Sequence, residues 1–216
     1  MKIAFWSEAG HSGTTSNMLA VSTMVSAISP GSRVTLRSLG KPERAEGKKE
    51  REITHTVGHT SNERQSAERM SKEEKAQSGY VFLDCGSGLD ACKRHILSQA
   101  DIIVVNVRQR EEELNRLFLE HRCLLAKSMV LVGNYCEQSE ISRRYLEHMY
   151  RIEPEHLGVV SYNSEFYQAC LRGRVRHFVK SRQDHPGCMR NSLFIRELEQ
   201  FAQRLMIQAE RKSIQG

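Results

Sequence analysis

The chain has 216 residues, a formal net charge of +6, 39% apolar and 27% charged residues. That length suits one α/β domain with a sizeable core, and the balance is that of an ordinary soluble globular protein. No apolar stretch approaches a membrane span. The opening MKIAFWSEAGH has too short an apolar run, followed at once by Glu8 and His11, to read as a signal peptide. Six cysteines, at 85, 92, 123, 136, 170 and 188, form no close C-x-x-C pair. They read as reduced, mostly structural thiols of a cytoplasmic protein, and their scatter argues against a zinc site.

Taken in order, KIAFW (2–6) predicts a buried strand, and a helix follows from about Thr14 to Ser29. Met18, Val21, Val25 and Ile28 recur on one face of that helix, and Pro30 and Gly31 stop it. RVTLRSL (33–39) alternates like a strand, and YVFLD (80–84), DIIVVNV (101–107), SMVLVGN (128–134) and LGVVSY (157–162) are apolar strand runs. Helical stretches are expected at 89–99, 111–125, 138–151 and 164–172, with a long amphipathic one over 191–212. Continuous apolar strands alternating with helices predict a mostly parallel sheet covered on both faces, a three-layer α/β sandwich. Ligands in such sheets bind at the carboxyl ends of the strands.

Two segments depart from the pattern. Residues 41–78 carry nine Lys or Arg and eight Glu, with only Ile53, Val57 and Met70 as large aliphatics, so a charged flexible insertion or exposed helix is expected. Between 172 and 190, Arg172, Arg174, Arg176, Lys180, Arg182 and Arg190 face Asp184 alone among acidic residues. A solvated face with local ion pairs is the favoured reading; contact with phosphate, nucleic acid or an anionic surface is the alternative.

Chemistry concentrates in SEAGHSGTTSN (7–17), a small-residue turn between the first strand and the first helix. The general phosphate loop is G-x-x-x-x-G-K-[ST], whose backbone N–H groups cradle phosphate, whose lysine reaches the terminal phosphates and whose hydroxyl ligates magnesium. Laid on this chain, Gly13 is the final glycine, Thr14 stands at the lysine and Thr15 at the magnesium hydroxyl, while Glu8 occupies the first glycine.

Four further stretches supply a family resemblance. YVFLDCGSGLD resembles the strand-end D-x-x-x-G motif of the ParA/MinD P-loop ATPases, with Asp84 and Gly88 in place. QADIIVVNVRQREEELNRL resembles the strand and helix that follow it, and MVLVGNYCEQSEI the next strand, which in that family ends in a base-contacting asparagine, here Asn134. LGVVSYNSEFYQACLRGRV resembles the late strand–helix pair, with Ser161 and Tyr162 where the family usually has Pro and Tyr. The resemblance spans nearly the whole chain except 41–78, where family members usually carry another strand and helix. The loop looks most like atypical, TadZ-like members that localise a Flp/Tad pilus machine.

The resemblance implies a SIMIBI-type P-loop domain over 1–216. Its nucleotide groups would be Gly10, Ser12, Gly13, Thr14, Thr15, Ser16 and Asn134, with Thr15 and Asp84 holding Mg²⁺ for ATP or ADP. Both family lysines are missing, the early one being replaced by Ala9, and neither RVTLRSLGKPERA nor the rest of the charged segment offers a switch I aspartate. A pseudo-ATPase is therefore expected, since hydrolysis needs charge neutralised and a water positioned. Anion binding survives through helix N-terminal N–H groups, against which Glu8 is repulsive. Arg108, Arg110, Arg172 and Arg174 are the candidates to replace the lost charge.

Plainer readings stand beside these. Asp84 as a cap of the next helix and Asn134 as a turn residue are each weighed equally with the nucleotide role. His11 reads as a solvated polar residue, and Cys85, with no histidine partner visible, as a small packing residue. Leu193, Phe194, Leu198, Phe201, Leu205 and Met206 form a stripe expected to pack on the sheet rather than to touch a membrane. The expected function is a cytoplasmic positioning or scaffold protein that dimerises and recruits pilus, secretion or partition partners. A slow ATPase and a non-specific DNA-binding module are the alternatives.

Overall fold

The computed structural model describes residues 1–39, 79–184 and 189–215. The expected charged insertion at 41–78 lies outside them. Six strands form one sheet: β1 (Lys2–Ser7), β2 (Arg33–Ser38), β3 (Gly79–Ser87), β4 (Ile102–Val107), β5 (Ser128–Tyr135) and β6 (Leu157–Ser161). Their order is β2-β3-β1-β4-β5-β6, and every pairing is parallel.

Eight helices accompany the described strands: α1 (Thr14–Ile28), α2 (Ala91–Gln99), α3 (Glu111–Glu120), α4 (Arg122–Leu125), α5 (Arg143–Met149), α6 (Ser164–Leu171), α7 (Val175–Asp184) and α8 (Met189–Gln215). Strand side chains alternate between two cores. Ile3, Phe5, Phe82, Val104 and Leu131 face α1, α6, α7 and α8. Ala4, Trp6, Leu83, Val105 and Val132 face α2, α3 and α5. Both faces of each central strand are thus apolar, which is why those segments read as unbroken runs.

Four expectations change in detail. The run 111–125 breaks at His121 into α3 and α4, and the 138–151 helix shrinks to α5, which Ser142 caps by accepting from Tyr145 N–H. The basic stretch after Gly173 is itself a helix, α7, whose apolar Val175, Phe178 and Val179 are buried against α1. The last helix is longer than expected, and Phe194, Leu198, Phe201 and Leu205 are buried in the core. No helix among the described residues is long and apolar enough to cross a membrane.

Because β3 and β4 flank β1, connections leave β1 on one side and return on the other. The carboxyl ends of β3, β1 and β4 meet at this switch point, where a parallel sheet opens a crevice.

Candidate nucleotide site

The loop 8–13 leaves β1 at that crevice and turns into α1. Gly13 makes the turn at φ 72°, a left-handed conformation that a side chain would strain. No side chain caps α1, and among the described residues no hydrogen bond uses the backbone N–H of Gly10, Ser12, Gly13, Thr14 or Thr15. A row of free donors at a 15-residue helix N-terminus is an anion nest.

The side chains of the loop mostly serve the loop. Ser12 Oγ donates to the Ala9 carbonyl at 2.9 Å, and buried Thr14 donates to Ser7 Oγ at 3.0 Å. At the lysine position, then, the side chain is turned into the fold, and only the N–H faces outward. Ser16 lies beside the Cys170 thiol, which ties the start of α1 to the end of α6. His11 is exposed at φ 61°.

Thr15 and Asp84 come together across 69 residues: Thr15 Oγ1 donates to Asp84 Oδ2 at 2.7 Å. Asp84 is 4% exposed, and its second oxygen accepts from Gly86 N–H at 3.0 Å. It does not cap α2; Asp90 does, by accepting from Lys93 N–H at 2.8 Å. A hydroxyl and a carboxylate at the mouth of a phosphate nest are hard oxygen donors suited to magnesium, which takes few protein ligands and completes its shell with phosphate and water. Among the described residues no group of three His, Cys, Asp or Glu side chains gathers to hold a metal on its own.

Glu8, the residue that opposes an anion, is engaged elsewhere. Its carboxylate meets His121 Nε2 at 2.9 Å. His121 stands edge-on to Trp6, with centroids 5.4 Å apart, and Trp6 Nε1 donates to the Gly88 carbonyl at 2.8 Å. Fully buried Trp6 therefore links the α3–α4 break to the loop after Asp84. These supports were invisible in the sequence, where His121 lies 113 residues from its partner.

The expected replacement cations are not at the loop. Arg108 is fixed to Glu113, with Nε 3.0 Å from Oε2, and Arg110 meets the same carboxylate at 3.7 Å. Arg172 and Arg174 are exposed on the α6–α7 turn. Lys93 stands on the first turn of α2: its ammonium donates to the Ser87 carbonyl and lies 3.9 Å from the Asp90 carboxylate, and Ser87 is the register partner of Ser7. Cys85, next to Asp84 but in the opposite core, is buried; burial first, then Asp84, pushes its thiol up to about 12, so it stays protonated and inert.

The other end of the crevice is plainer. Asn134 is exposed at φ 59°, where β5 bulges between Gly133 and Tyr135. Its backbone is that of a turn residue, and no hydrogen bond of its side chain is seen among the described residues. Gly133 is needed because Asn17 of α1 lies against it: a Cβ there would stand 2.6 Å from Asn17 Nδ2. Asn17 in turn donates to buried Asn106 at 3.0 Å, so α1 is pinned to β4 and β5.

No protein-family model matches the chain, and no curated protein matches it in sequence. Solved structures do match in fold. The cell-division ATPase MinD of Pyrococcus furiosus is 14% identical with a TM-score of 0.69, over 95% of this chain and 98% of that one. MinD of Pyrococcus horikoshii, solved with Mg-ADP, is 13% identical with a TM-score of 0.68, over 98% and 99%. A ParA-family ATPase of Chlorobium tepidum is 12% identical with a TM-score of 0.67, over 94% and 98%. At such identities the likeness is one of architecture, and it is nearly end to end: the chain has the P-loop α/β fold of the MinD and ParA ATPases.

Proposed function

We propose that the protein is a MinD/ParA-like positioning or scaffold factor that binds Mg-ATP or Mg-ADP at the β1–α1 loop and hydrolyses it slowly or not at all. The observation that carries this reading is the 2.7 Å contact between Thr15 and Asp84 beneath a loop of free N–H groups that has no lysine. Backbone donors of Gly10 to Thr15 hold the phosphates, and the Thr15 hydroxyl with Asp84 holds the cation, which supplies charge neutralisation when bound. His121 holds Glu8 aside. Lys93 exchanges its Ser87 carbonyl for phosphate oxygen and restores part of the missing positive charge. Asn134 is a base contact only insofar as it is exposed beside the crevice. What is missing is a group to position water, together with the loop lysines that neutralise charge in flight.

A slow ATPase is the second reading, and Lys93 is the feature that favours it. Dimerisation, a cytoplasmic location and a role in pilus, secretion or partition machinery belong to the same proposal. They draw support from the fold and from the TadZ-like loop. Non-specific DNA contact by the basic residues after 172 makes a separate forecast, a steep loss of binding with added salt.

Calorimetric titration with Mg-ATP, run beside Gly13→Asp and paired with a phosphate-release assay, tests the reading. Heat from the native protein, none from the variant, and negligible phosphate release support it. Measurable release that Lys93→Gln lowers supports the slow ATPase instead. No heat from either protein removes both nucleotide readings and leaves a scaffold alone.

A further inference from the structure

Away from the β1–α1 loop, α6 and α7 diverge from the tight turn at Gly173 and leave between them an open groove of about 460 Å³. Its lining has helical periodicity on both sides. Ser164, Glu165, Gln168 and Ala169 come from one face of α6, His177, Phe178, Ser181 and Arg182 from one stripe of α7, and Arg172 and Arg174 from the turn between them. Phe178 and Ala169 are buried and form an apolar floor. The rim is basic, with three arginines against Glu165.

These cations differ in their engagement. Arg182 pairs with Glu165, and its guanidinium carbon lies 5.7 Å from the centre of the Phe178 ring. Even so, its buried Nε–H has no acceptor among the described residues. An orphaned donor in a basic groove leaves room for one more acceptor. Arg172, Arg174 and His177 are exposed and form no ion pair among the described residues. Beside them on α6, Tyr167 and Leu171, one helical turn apart, are 46% and 65% exposed. Arginines around an apolar floor, with an exposed tyrosine on the neighbouring flank, are residues enriched at protein interfaces.

We infer that the α6–α7 groove docks an acidic amphipathic segment of a partner protein, its carboxylates on Arg172, Arg174 and Arg182 and its apolar side chains over Phe178, Tyr167 and Leu171. Charge complementarity sets the sign of the partner, and the apolar floor with its exposed flank sets its second face. Duplex DNA fits less well. A rod of phosphates has nothing to place on an apolar floor and is repelled by Glu165. The inference is independent of nucleotide binding.

The test is fluorescence anisotropy on the full chain. The probe is a fluorescein-labelled amphipathic peptide with glutamate on one face and leucine and phenylalanine on the other. A peptide with lysine replacing glutamate and a labelled duplex oligonucleotide run beside it. The acidic peptide should bind, and the Arg172→Glu/Arg174→Glu double variant should weaken it by roughly tenfold or more. Leu171→Ser should weaken it about three- to fivefold. Arg116→Glu, an exposed charge reversal on α3 across the sheet, should leave it within about twofold. Thermal unfolding of each variant confirms that it is folded. The inference is overturned if the acidic peptide fails to bind, if Arg116→Glu costs as much as the double variant, or if the oligonucleotide binds more tightly than the peptide with the same dependence on Arg172 and Arg174.

Discussion

The two ends of the crevice are built differently. At the end proposed to hold phosphate, β1, β3, α1 and the α3–α4 break converge, and nearly every polar side chain has a named partner: Ser7, Ser12, Thr14, Thr15, Asp84, Glu8 and His121. At the end proposed to meet a base, Asn134 stands exposed on a bulge with no such support among the described residues. On the proposed reading, the preorganised end holds the phosphates of a ligand through fixed geometry, and the open end meets the remainder loosely. Backbone donors survive the loss of side-chain lysines because they belong to the helix itself. A base contact resting on one exposed side chain has no such insurance.

The largest effect should come from Gly13→Asp. It forces a side chain into a left-handed position and adds a carboxylate to the nest, so Mg-ATP heat should vanish, a loss of about a hundredfold or more in affinity. Survival of binding in that variant breaks the comparison, because phosphate would then be held elsewhere. Asp84→Ala comes next. Losing the acceptor for Thr15 and Gly86 N–H should destabilise the protein by about 1–3 kcal/mol in urea unfolding and remove the magnesium dependence of any ATP binding.

Lys93→Gln should lower ATP affinity by roughly fivefold at low salt and ADP affinity by less, with Lys93→Arg recovering most of the difference. Equal losses for both nucleotides would mean that Lys93 only ties α2 to Ser87. Smallest of the ligand effects is Asn134→Gly. Its backbone suits glycine, so stability should hold within about 0.5 kcal/mol, and ATP affinity should change by less than about threefold. A tenfold loss there would show that the base end is as specific as the phosphate end.

Thiol labelling sharpens the contrast from behind the sheet. At about pH 8, Ellman's reagent should modify exposed Cys92, Cys123 and Cys136 but not Cys85. Burial, the larger cause of its raised value, persists in Asp84→Asn, so Cys85 should stay silent in that variant too. Labelling of Cys85 there would mean that the Thr15–Asp84 contact keeps the β3 end closed.

Much of the fold was legible because its strands are buried on both faces: runs such as IIVV leave no other economical placement, and all six expected strands form. α1, buried nearly all round, and α8, with its apolar stripe, were equally plain. α7 was hidden because its charged residues outnumber its buried ones, and packing on α1 rather than propensity makes it a helix. The break at His121 was hidden for a similar reason. Leu114 and Leu117 bury in the helix before it and Leu124 after it, while His121 itself turns to Trp6 and Glu8.

By itself, the sequence determined that this chain folds as a parallel α/β sandwich with a small-residue turn at its centre, and that the turn contains no lysine. Periodicity and residue identity are local properties, and both are readable without coordinates. Only the tertiary structure decided that Thr15 meets Asp84, that Glu8 is held by His121, that Lys93 reaches the Ser87 carbonyl at the end of β3, and that α6 and α7 part to form a basic groove. Those are contacts between segments far apart in the chain, set by strand order and register, on which neighbouring residues are silent.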